Sequence, residues 1–521
     1  MKTLIDTLAS EQNPITQPDN RNVRDSFALR AVLTTGLVAI FGLMSTEVVS
    51  AQTFAVLHQF AATNGAAFTT FTNNEGAYPR GGVILAGDTL YGTTSFGGSS
   101  GGGTLFRVKT DGSDFTVLHQ FTGASDGIAP RSALFLSGDT LYGTAKTGGS
   151  TGNGTVFKVR TDGTGFVVLH HFTAINPNTG ANGDGSQPIA ELILSGSTLY
   201  GTAAGGGSSG YGTVFKVSTN GTGFANLHSF TNSDGAAPYG GLVLSGSTLY
   251  GTASAGGPSD NGTVFAINTD GTGFTNLYFF SSTPGPFRPN SDGALPIVSL
   301  LLSSNMLYGA AGQGGATGNG TVFALNTNGS DFRVLYAFTA VPDPDNPPYI
   351  NDDGATPTSA LTLVGNTLYG TTQVGGSVGA GTVFALSTDG TGFTNLHTFT
   401  GDDGANPFGT LILSGNTIYG TASSIYISSI FITNFGAVFN LSLAPQLTIA
   451  PSGADVILTW PIDAPGFSYA SYQLQSTAEL GAAAGWTTVQ LPAPPVVANG
   501  QYIATIPNAV TNTQKFFRLR Q

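Results

Sequence analysis

A forty-residue unit, repeated along most of the chain, constrains the fold more than any other feature. Its clearest copy is residues 241–280, GLVLSGSTLYGTASAGGPSDNGTVFAINTDGTGFTNLYFF, which contains four short apolar runs separated by turn sequences. Ser245-Gly246 and Asp270-Gly271 are typical of tight turns, and Gly256-Gly257 begins a looser glycine loop. A unit of this size cannot bury its apolar faces alone, so we expect successive copies to pack on one another.

Each of the four strand classes recurs seven times between Thr53 and Leu443. The second class carries the LYG or IYG signature, and the third carries GTVF or a close variant. The signature tyrosines are Tyr91, Tyr142, Tyr200, Tyr250, Tyr308, Tyr369 and Tyr419. A period of about 50 to 60 residues with four strands per unit is typical of a β-propeller.

The phase of the repeats predicts how the array closes. The chain enters on a fourth strand, Phe54 to Phe60, and leaves the array on a third strand, Gly436 to Ser442. Pairing these two segments would complete the last unit, whereas an open solenoid would need a capping repeat at each end. We therefore predict an all-β fold in which residues 52–443 form a seven-bladed β-propeller closed by the N-terminal strand.

Residues 1–51 have the layout of a signal peptide with a long polar n-region. An apolar run, Ala31 to Met44, is followed by Val49-Ser50-Ala51, whose small residues suit cleavage before Gln52. The alternative is an uncleaved anchor, but a bilayer span needs about 20 apolar residues. The sequence thus predicts export to the periplasm or cell surface and a mature chain without a membrane span.

The composition shifts after Leu443, where the glycine-threonine repeats stop and both tryptophans, Trp460 and Trp486, occur. Alternating apolar segments such as DVILTWP and QYIATI predict a small fibronectin-III-like β-sandwich over residues 444–521. We interpret both tryptophans as core residues of this domain and not as platforms for a sugar.

Charge and cysteine content exclude several classes of function. The formal net charge of −12 argues against a nucleic-acid partner, which would require a basic face. The absence of cysteine excludes disulfides, zinc-thiolate sites and thiol catalysis. We expect a monomer stabilised by closure of the ring.

The motifs LYGT, GGSxGxGTVF, TDGTGF and LHxF, taken together, resemble those of the Gloeo/Verruco (GloVer) tandem-repeat proteins, also called choice-of-anchor repeat proteins. The resemblance covers residues 54–443 and is fullest at 375–399. It implies an exported, surface-associated bacterial protein whose molecular function is unassigned. The C-terminal sorting segment of many such proteins has no counterpart here, since the chain ends FFRLRQ.

Variable crossover loops lead from each fourth strand to the next first strand, and variable loops on a rigid scaffold are where binding usually occurs. The residue after the proline that precedes each first strand differs from copy to copy, and Glu191 is the one acid at its strand position. We predict a mixed aromatic and polar ligand pocket formed by Arg80, Arg131, Glu191, Tyr239 and Phe408.

Other titratable residues have structural interpretations. His58, His119, His170, His228 and His397 share one position of the outermost strands, so they cannot converge on a metal, and we predict packing or hydrogen bonding. Aspartates before the crossover glycines are expected to bind backbone N–H groups. Calcium could bind the oxygen-rich loop containing Asp343, Asp345, Asp352 and Asp353, but its spacing matches no EF-hand. No cofactor, metal ligand or catalytic residue is otherwise assigned.

These observations favour a non-enzymatic binding or adhesion protein for an extracellular glycan or protein ligand. One alternative is an extracellular carbohydrate-active lyase or hydrolase at the channel mouth, although one acid does not supply the two carboxylates of a glycosidase. A second is a purely structural envelope protein. The apolar segment Ser423 to Asn434 replaces one glycine loop, and we expect it to pack on the C-terminal domain or on a partner.

Overall fold

The computed structural model describes residues 53–64, 71–284, 289–342, 349–423, 435–443 and most of 445–520; the gaps in the last range are 446, 453–454, 462, 465–466, 469–471, 478–486, 499–500 and 508–515. All of the described secondary structure is β. The predicted signal peptide, Trp486, Asp343, Asp345 and all but the first residue of the Ser423 to Asn434 segment lie outside the described residues.

Thirty strands form the repeat region. They are β1 (Thr53–Gln59), β2 (Ile84–Ala86), β3 (Thr89–Thr94), β4 (Thr104–Lys109), β5 (Thr116–Gln120), β6 (Ile128–Pro130), β7 (Phe135–Ser137), β8 (Thr140–Thr147), β9 (Thr155–Arg160), β10 (Val167–His171), β11 (Ile193–Ser195), β12 (Thr198–Ala203), β13 (Thr213–Ser218), β14 (Ala225–Ser229), β15 (Val243–Ser245), β16 (Thr248–Ala253), β17 (Thr263–Asn268), β18 (Thr275–Phe279), β19 (Leu301–Ser303), β20 (Met306–Ala311), β21 (Thr321–Asn326), β22 (Arg333–Ala337), β23 (Ala355–Pro357), β24 (Thr362–Val364), β25 (Thr367–Val374), β26 (Thr382–Ser387), β27 (Thr394–Thr398), β28 (Ile412–Ser414), β29 (Thr417–Ala422) and β30 (Ala437–Ser442).

These strands form seven antiparallel sheets, numbered here 1 to 7 in chain order. Sheets 1 to 6 each contain four consecutive strands in sequential order, and short strands β6 and β23 extend sheets 2 and 6. Sheet 7 consists of β28, β29, β30 and β1, because β1 pairs with β30 from Thr53↔Ser442 to Gln59↔Ala437. The N-terminal strand therefore completes the last sheet.

Turn sequences within a sheet form as their chemistry dictates. Ser245 pairs with Thr248, which leaves a two-residue hairpin loop in which Gly246 has a φ of 59°. In the turn from the third to the fourth strand, the Asp270 carboxylate accepts hydrogen bonds from the Thr272 backbone N–H at 2.9 Å and hydroxyl at 2.7 Å. Such Asx turns reverse the chain without tertiary support.

The glycine of the LYG signature makes room for an aromatic ring. Gly251 lies opposite Phe265 on the neighbouring strand, and a Cβ at Gly251 would lie 2.6 Å from the Phe265 ring. The phenylalanine ring therefore crosses over the second strand. Each of the seven sheets repeats this contact, and the ring is fully buried in every one. The seven rings are Phe106, Phe157, Phe215, Phe265, Phe323, Phe384 and Phe439.

The core lies between neighbouring sheets. Tyr200 and Val214 of sheet 3 pack with Leu242 and Phe265 of sheet 4, and a corresponding cluster fills each of the other junctions. The last of these joins Val438 of sheet 7 to residues of sheet 1. The seven sheets therefore form a closed, propeller-like ring in which every sheet is covered by two neighbours.

An aromatic layer joins the outer strands of adjacent sheets. In each sheet a histidine or tyrosine of the fourth strand stacks face to face on the phenylalanine that precedes the fourth strand of the next sheet, or begins it in β1. The ring centroids are 3.6–4.1 Å apart. The pairs are His58–Phe115, His119–Phe166, His170–Phe224, His228–Phe274, Tyr278–Phe332, Tyr336–Phe393 and His397–Phe54. The last pair closes the layer across sheets 6 and 7.

The same rings hydrogen-bond a carboxylate in the following crossover. His119 Nε2 lies 3.1 Å from the Asp126 carboxylate, and Tyr278 donates to Asp292 at 2.8 Å. The Asp126 carboxylate also accepts backbone N–H bonds from Thr122 and Gly123. The predictions that these histidines pack and hydrogen-bond, and that these carboxylates order the crossovers, are confirmed.

Residues after Leu443 form separate sheets from β31 (Thr448–Ser452), β32 (Asp455–Pro461), β33 (Asp463–Ala464), β34 (Phe467–Ser468), β35 (Gln473–Thr477), β36 (Thr487–Thr488), β37 (Val496–Ala498), β38 (Gln501–Ile506) and β39 (Phe516–Arg520). The strand orders are β31-β32-β38-β37, β36-β35-β39 and β33-β34.

Trp460 has the core position predicted from the sequence. Its side chain is buried with Leu458 and Leu474 and stacks on Tyr502. Within the described parts of the chain, no helix is long and apolar enough to cross a membrane.

Substituting the signature glycine should destabilise the ring by overpacking. Gly251→Ala places a methyl group against the Phe265 ring, and we expect the free energy of unfolding to fall by about 1–3 kcal/mol in urea titrations. Gly183→Ala is the matched control, since a Cβ there meets nothing within 4 Å; its effect should stay within about 0.5 kcal/mol. Equal losses in both variants would contradict this role of the signature glycine.

Acid should weaken the aromatic layer in two stages. Burial lowers the pKa of His58, His119 and His228 despite their carboxylate partners. For Asp126, Asp184 and Asp403, burial acts in the opposite direction but is outweighed by hydrogen bonds, so these pKa values are also lowered. The folded state then binds fewer protons than the unfolded state. Stability should fall below about pH 6.5 and fall further below about pH 4.

The chain supplies its own substitution for testing the first stage, because tyrosine replaces histidine in sheets 4 and 5. Converting His58, His119 and His228 to tyrosine should flatten the decline of the urea midpoint between pH 6.5 and pH 5, since the phenol stays protonated there. A decline as steep as that of the unmodified protein would show that the acid sensitivity originates elsewhere.

Candidate functional site

The position before each pre-strand proline shows how the ring places side chains at its centre. All seven of these residues have positive φ, between 49° and 58° in six and 61° in Leu295, although none is glycine. Each donates its backbone N–H to a carbonyl of the preceding sheet at 2.7–3.1 Å. The residues are Tyr78, Ala129, Gln187, Ala237, Leu295, Thr356 and Asn406.

The following proline packs on the glycine that precedes the third strand of the preceding sheet. A Cβ on Gly154 would collide with Pro188, and one on Gly436 would collide with Pro79 of sheet 1. Because the N–H bond and the proline contact are fixed in every sheet, the next residue enters the centre of the ring at a fixed height.

A central pocket of about 90 Å³ lies where these residues meet, and all seven sheets contribute to its lining. The five residues predicted from the sequence as ligand-binding all line it: Arg80 of sheet 1, Arg131 of sheet 2, Glu191 of sheet 3, Tyr239 of sheet 4 and Phe408 of sheet 7. The structure therefore brings the five side chains together. Whether they bind a ligand stays a prediction.

The two arginines are half-buried and adjacent. Burial and the charge of Arg131 lower the pKa of Arg80 to about 10, and burial lowers the pKa of Arg131. The Arg80 guanidinium lies over the Phe408 ring at 5.5 Å, a cation–π contact. Among the described residues, the Nε atoms of both arginines are buried without a hydrogen-bond partner.

Glu191 lies across the channel at Gly241. A Cβ on Gly241 would lie 2.8 Å from both Glu191 Cγ and Ser299 Oγ, so only glycine leaves room for the two side chains to meet. The Ser299 hydroxyl accepts from the Gly241 N–H at 2.8 Å and donates to the Glu191 carboxyl. Burial nevertheless raises the pKa of Glu191.

Two residues of this site were missed by the sequence interpretation. Ser299 is the hydrogen-bond partner of Glu191 and shares its strand position two sheets away. Lys146 lies close to both arginines, because burial and then the charges of Arg131 and Arg80 lower its pKa. Its signal was present in the sequence, since Lys146 is the one cation at its position, where the other copies have Ser, Ala, Gly or Gln.

The calcium hypothesis finds different partners for the residues that can be described. Asp353 accepts hydrogen bonds from the hydroxyls of Tyr336 and Thr339, and the Asp352 backbone carbonyl accepts one from Asn395. No three His, Asp or Glu side chains converge as metal ligands within the described ranges.

Solved structures of low sequence identity share parts of this architecture. A structure of a nidogen/laminin complex is 15% identical over 63% of this chain and 98% of that chain, with a TM-score of 0.36. An oligogalacturonate lyase from Vibrio parahaemolyticus is 11% identical over 71% and 90%, with a TM-score of 0.42. A puromycin-hydrolysing peptidase from Mycobacterium tuberculosis is 12% identical over 78% and 62%, with a TM-score of 0.43.

No curated protein sequence matches the chain. The profile of the Gloeobacter/Verrucomicrobia repeat, in contrast, matches residues 39–186 and 177–350, which together make up more than half of the sequence. The chain therefore belongs to the Gloeobacter/Verrucomicrobia repeat family.

Proposed function

We propose that this chain is a secreted or cell-surface binding protein. In this proposal residues 1–51 are a signal peptide, residues 52–443 form a seven-bladed β-propeller, and residues 444–521 form a fibronectin-III-like domain. Pairing of β1 with β30 supports closure of the propeller. The small-residue sequence Val49-Ser50-Ala51 after an apolar run supports export.

One observation carries the binding function. The ring is uniform in its turns, stacks and core, yet the residue after the proline differs in most sheets, and those side chains meet in one pocket. Tyr239 is 39% exposed there although it is a large aromatic residue. Uniform positions maintain the scaffold, and variation at the converging position supports recognition of a glycan or protein ligand at this mouth.

The rival function is a carbohydrate-active lyase or hydrolase. It requires an acid and a base within hydrogen-bond reach of each other. Among the described residues the partner of Glu191 is the Ser299 hydroxyl, and no second carboxylate lines the pocket. This arrangement favours binding without turnover. A structural envelope protein remains the second alternative, and it would need no ligand.

The test is binding of the chain from Gln52 to Gln521 to a glycan array and to immobilised polysaccharides, with and without calcium, with product formation assayed in the same samples. Saturable binding without turnover is expected. Tyr239→Ala should weaken it by roughly 10-fold or more, as expected for a central aromatic contact. Phe279→Ala removes a comparably exposed aromatic residue from an outer strand and should leave binding unchanged.

Other outcomes would replace the proposal. Turnover that is abolished by Glu191→Gln would establish the enzyme. An absence of binding to every glycan and to extracellular protein extracts would favour the structural alternative.

A further inference from the structure

Three cations cluster at the mouth of a protein that carries an excess of acids. Arg80 and Arg131 occupy the same position in adjacent sheets, and Lys146 lies at the end of the second strand of sheet 2. Each lowers or shares the lowered pKa of a neighbour, which shows that their like charges are close. The formal net charge of the chain is −12, so composition alone does not account for this concentration of positive charge.

Nothing described in the structure neutralises these cations. None of the three forms an ion pair with a described carboxylate, whereas Lys109 on an exposed turn pairs with Asp88 and Asp114. The buried Nε atoms of Arg80 and Arg131 lack hydrogen-bond partners among the described residues. Glu191 is bonded to Ser299 instead, and burial favours its neutral form. Buried unpaired cations are costly, so the arrangement is suited to receiving a negative charge.

The size of the pocket limits what can enter. Pockets that enclose a small-molecule ligand usually measure about 300–1,000 Å³. The central pocket offers about 90 Å³, which is room for a carboxylate or sulfate group but not for a whole ligand. The remainder must lie over the mouth, where Tyr239 is exposed.

We propose that the pocket binds a carboxylate or sulfate group of an acidic polysaccharide, with Arg80 and Arg131 as hydrogen-bond donors and Lys146 as a third positive charge. The sugar ring that carries this group lies against Tyr239 at the mouth. A guanidinium suits both groups because its paired donors match two oxygens. This inference rests on the proposed binding function and narrows its ligand class to anionic glycans.

The exposed aromatic residue favours a glycan over an acidic peptide. The C–H faces of a sugar ring stack on an aromatic side chain, and Phe408 also lines the pocket beside Arg80. A peptide carboxylate at the end of a flexible side chain would make no use of such a platform.

The first experiment needs no ligand. Because Arg131 is buried beside other cations without a counter-charge, Arg131→Gln should raise the thermal midpoint of the empty protein by a few degrees. Arg160→Gln removes an equal charge from an exposed strand end and should change the midpoint by less than about one degree. A lowered midpoint for Arg131→Gln would show that the arginine is structural, and would overturn the inference while leaving the binding function intact.

The second experiment compares charged and neutral forms of the same polymers. Alginate oligosaccharides and their carboxyl-reduced forms test the carboxylate, and dextran sulfate and dextran test the sulfate. We expect binding only of charged forms, and a roughly 30-fold or greater loss of affinity in Arg80→Gln and in Arg131→Gln. Arg160→Gln should retain the affinity of the unmodified protein.

The remaining outcomes separate the two proposals. If a neutral polymer binds as tightly as its charged form and Tyr239→Ala still weakens it, the binding function stands and the anionic class is wrong. If poly-L-glutamate binds as tightly as alginate, the assignment to a polysaccharide is wrong. If no polymer binds and Arg131→Gln leaves the thermal midpoint unchanged, the inference is wrong.

Discussion

The backbone hydrogen bond between each crossover and the preceding sheet is the interaction on which the rest of the ring depends. Seven residues adopt a left-handed conformation to make it, at a cost of about 1 kcal/mol or more each, and a proline then fills the gap left by a glycine. The bond from Tyr78 to Phe435 joins sheet 1 to sheet 7 and makes the array circular. Closure leaves no sheet with an uncovered face.

Threonines reinforce this seam on the inner side. A buried hydroxyl on the second strand donates to a carbonyl of the next sheet, as Thr202 does to Gly240 at 3.0 Å and Thr421 does to Gly81 at 2.9 Å. Sheet 5 differs, because Ala310 occupies the threonine position and has no hydroxyl. The junction of sheets 5 and 6 therefore lacks a bond that the other six junctions have.

Most of this architecture could be predicted because repetition amplifies weak local signals. The four strand classes, the turn chemistry and the entry of the chain on Phe54 all follow from spacing, since the same pattern recurs seven times. The stacking of His397 on Phe54 could not, because it depends on how closely two sheets approach. The five pocket residues were predictable as exceptions to a repeat, whereas Ser299 and Lys146 required the height of each side chain in the channel.

Closure by β1 ties together positions that are nearly four hundred residues apart. Thr53 is among the first ordered residues to be synthesised, yet its partner Ser442 follows only after all seven units. Such non-local pairing is slow to form, and unpaired strands are prone to aggregate while they wait. The order of synthesis thus imposes a waiting period on the first strand, and a chaperone that shields an exposed strand edge would act during this interval.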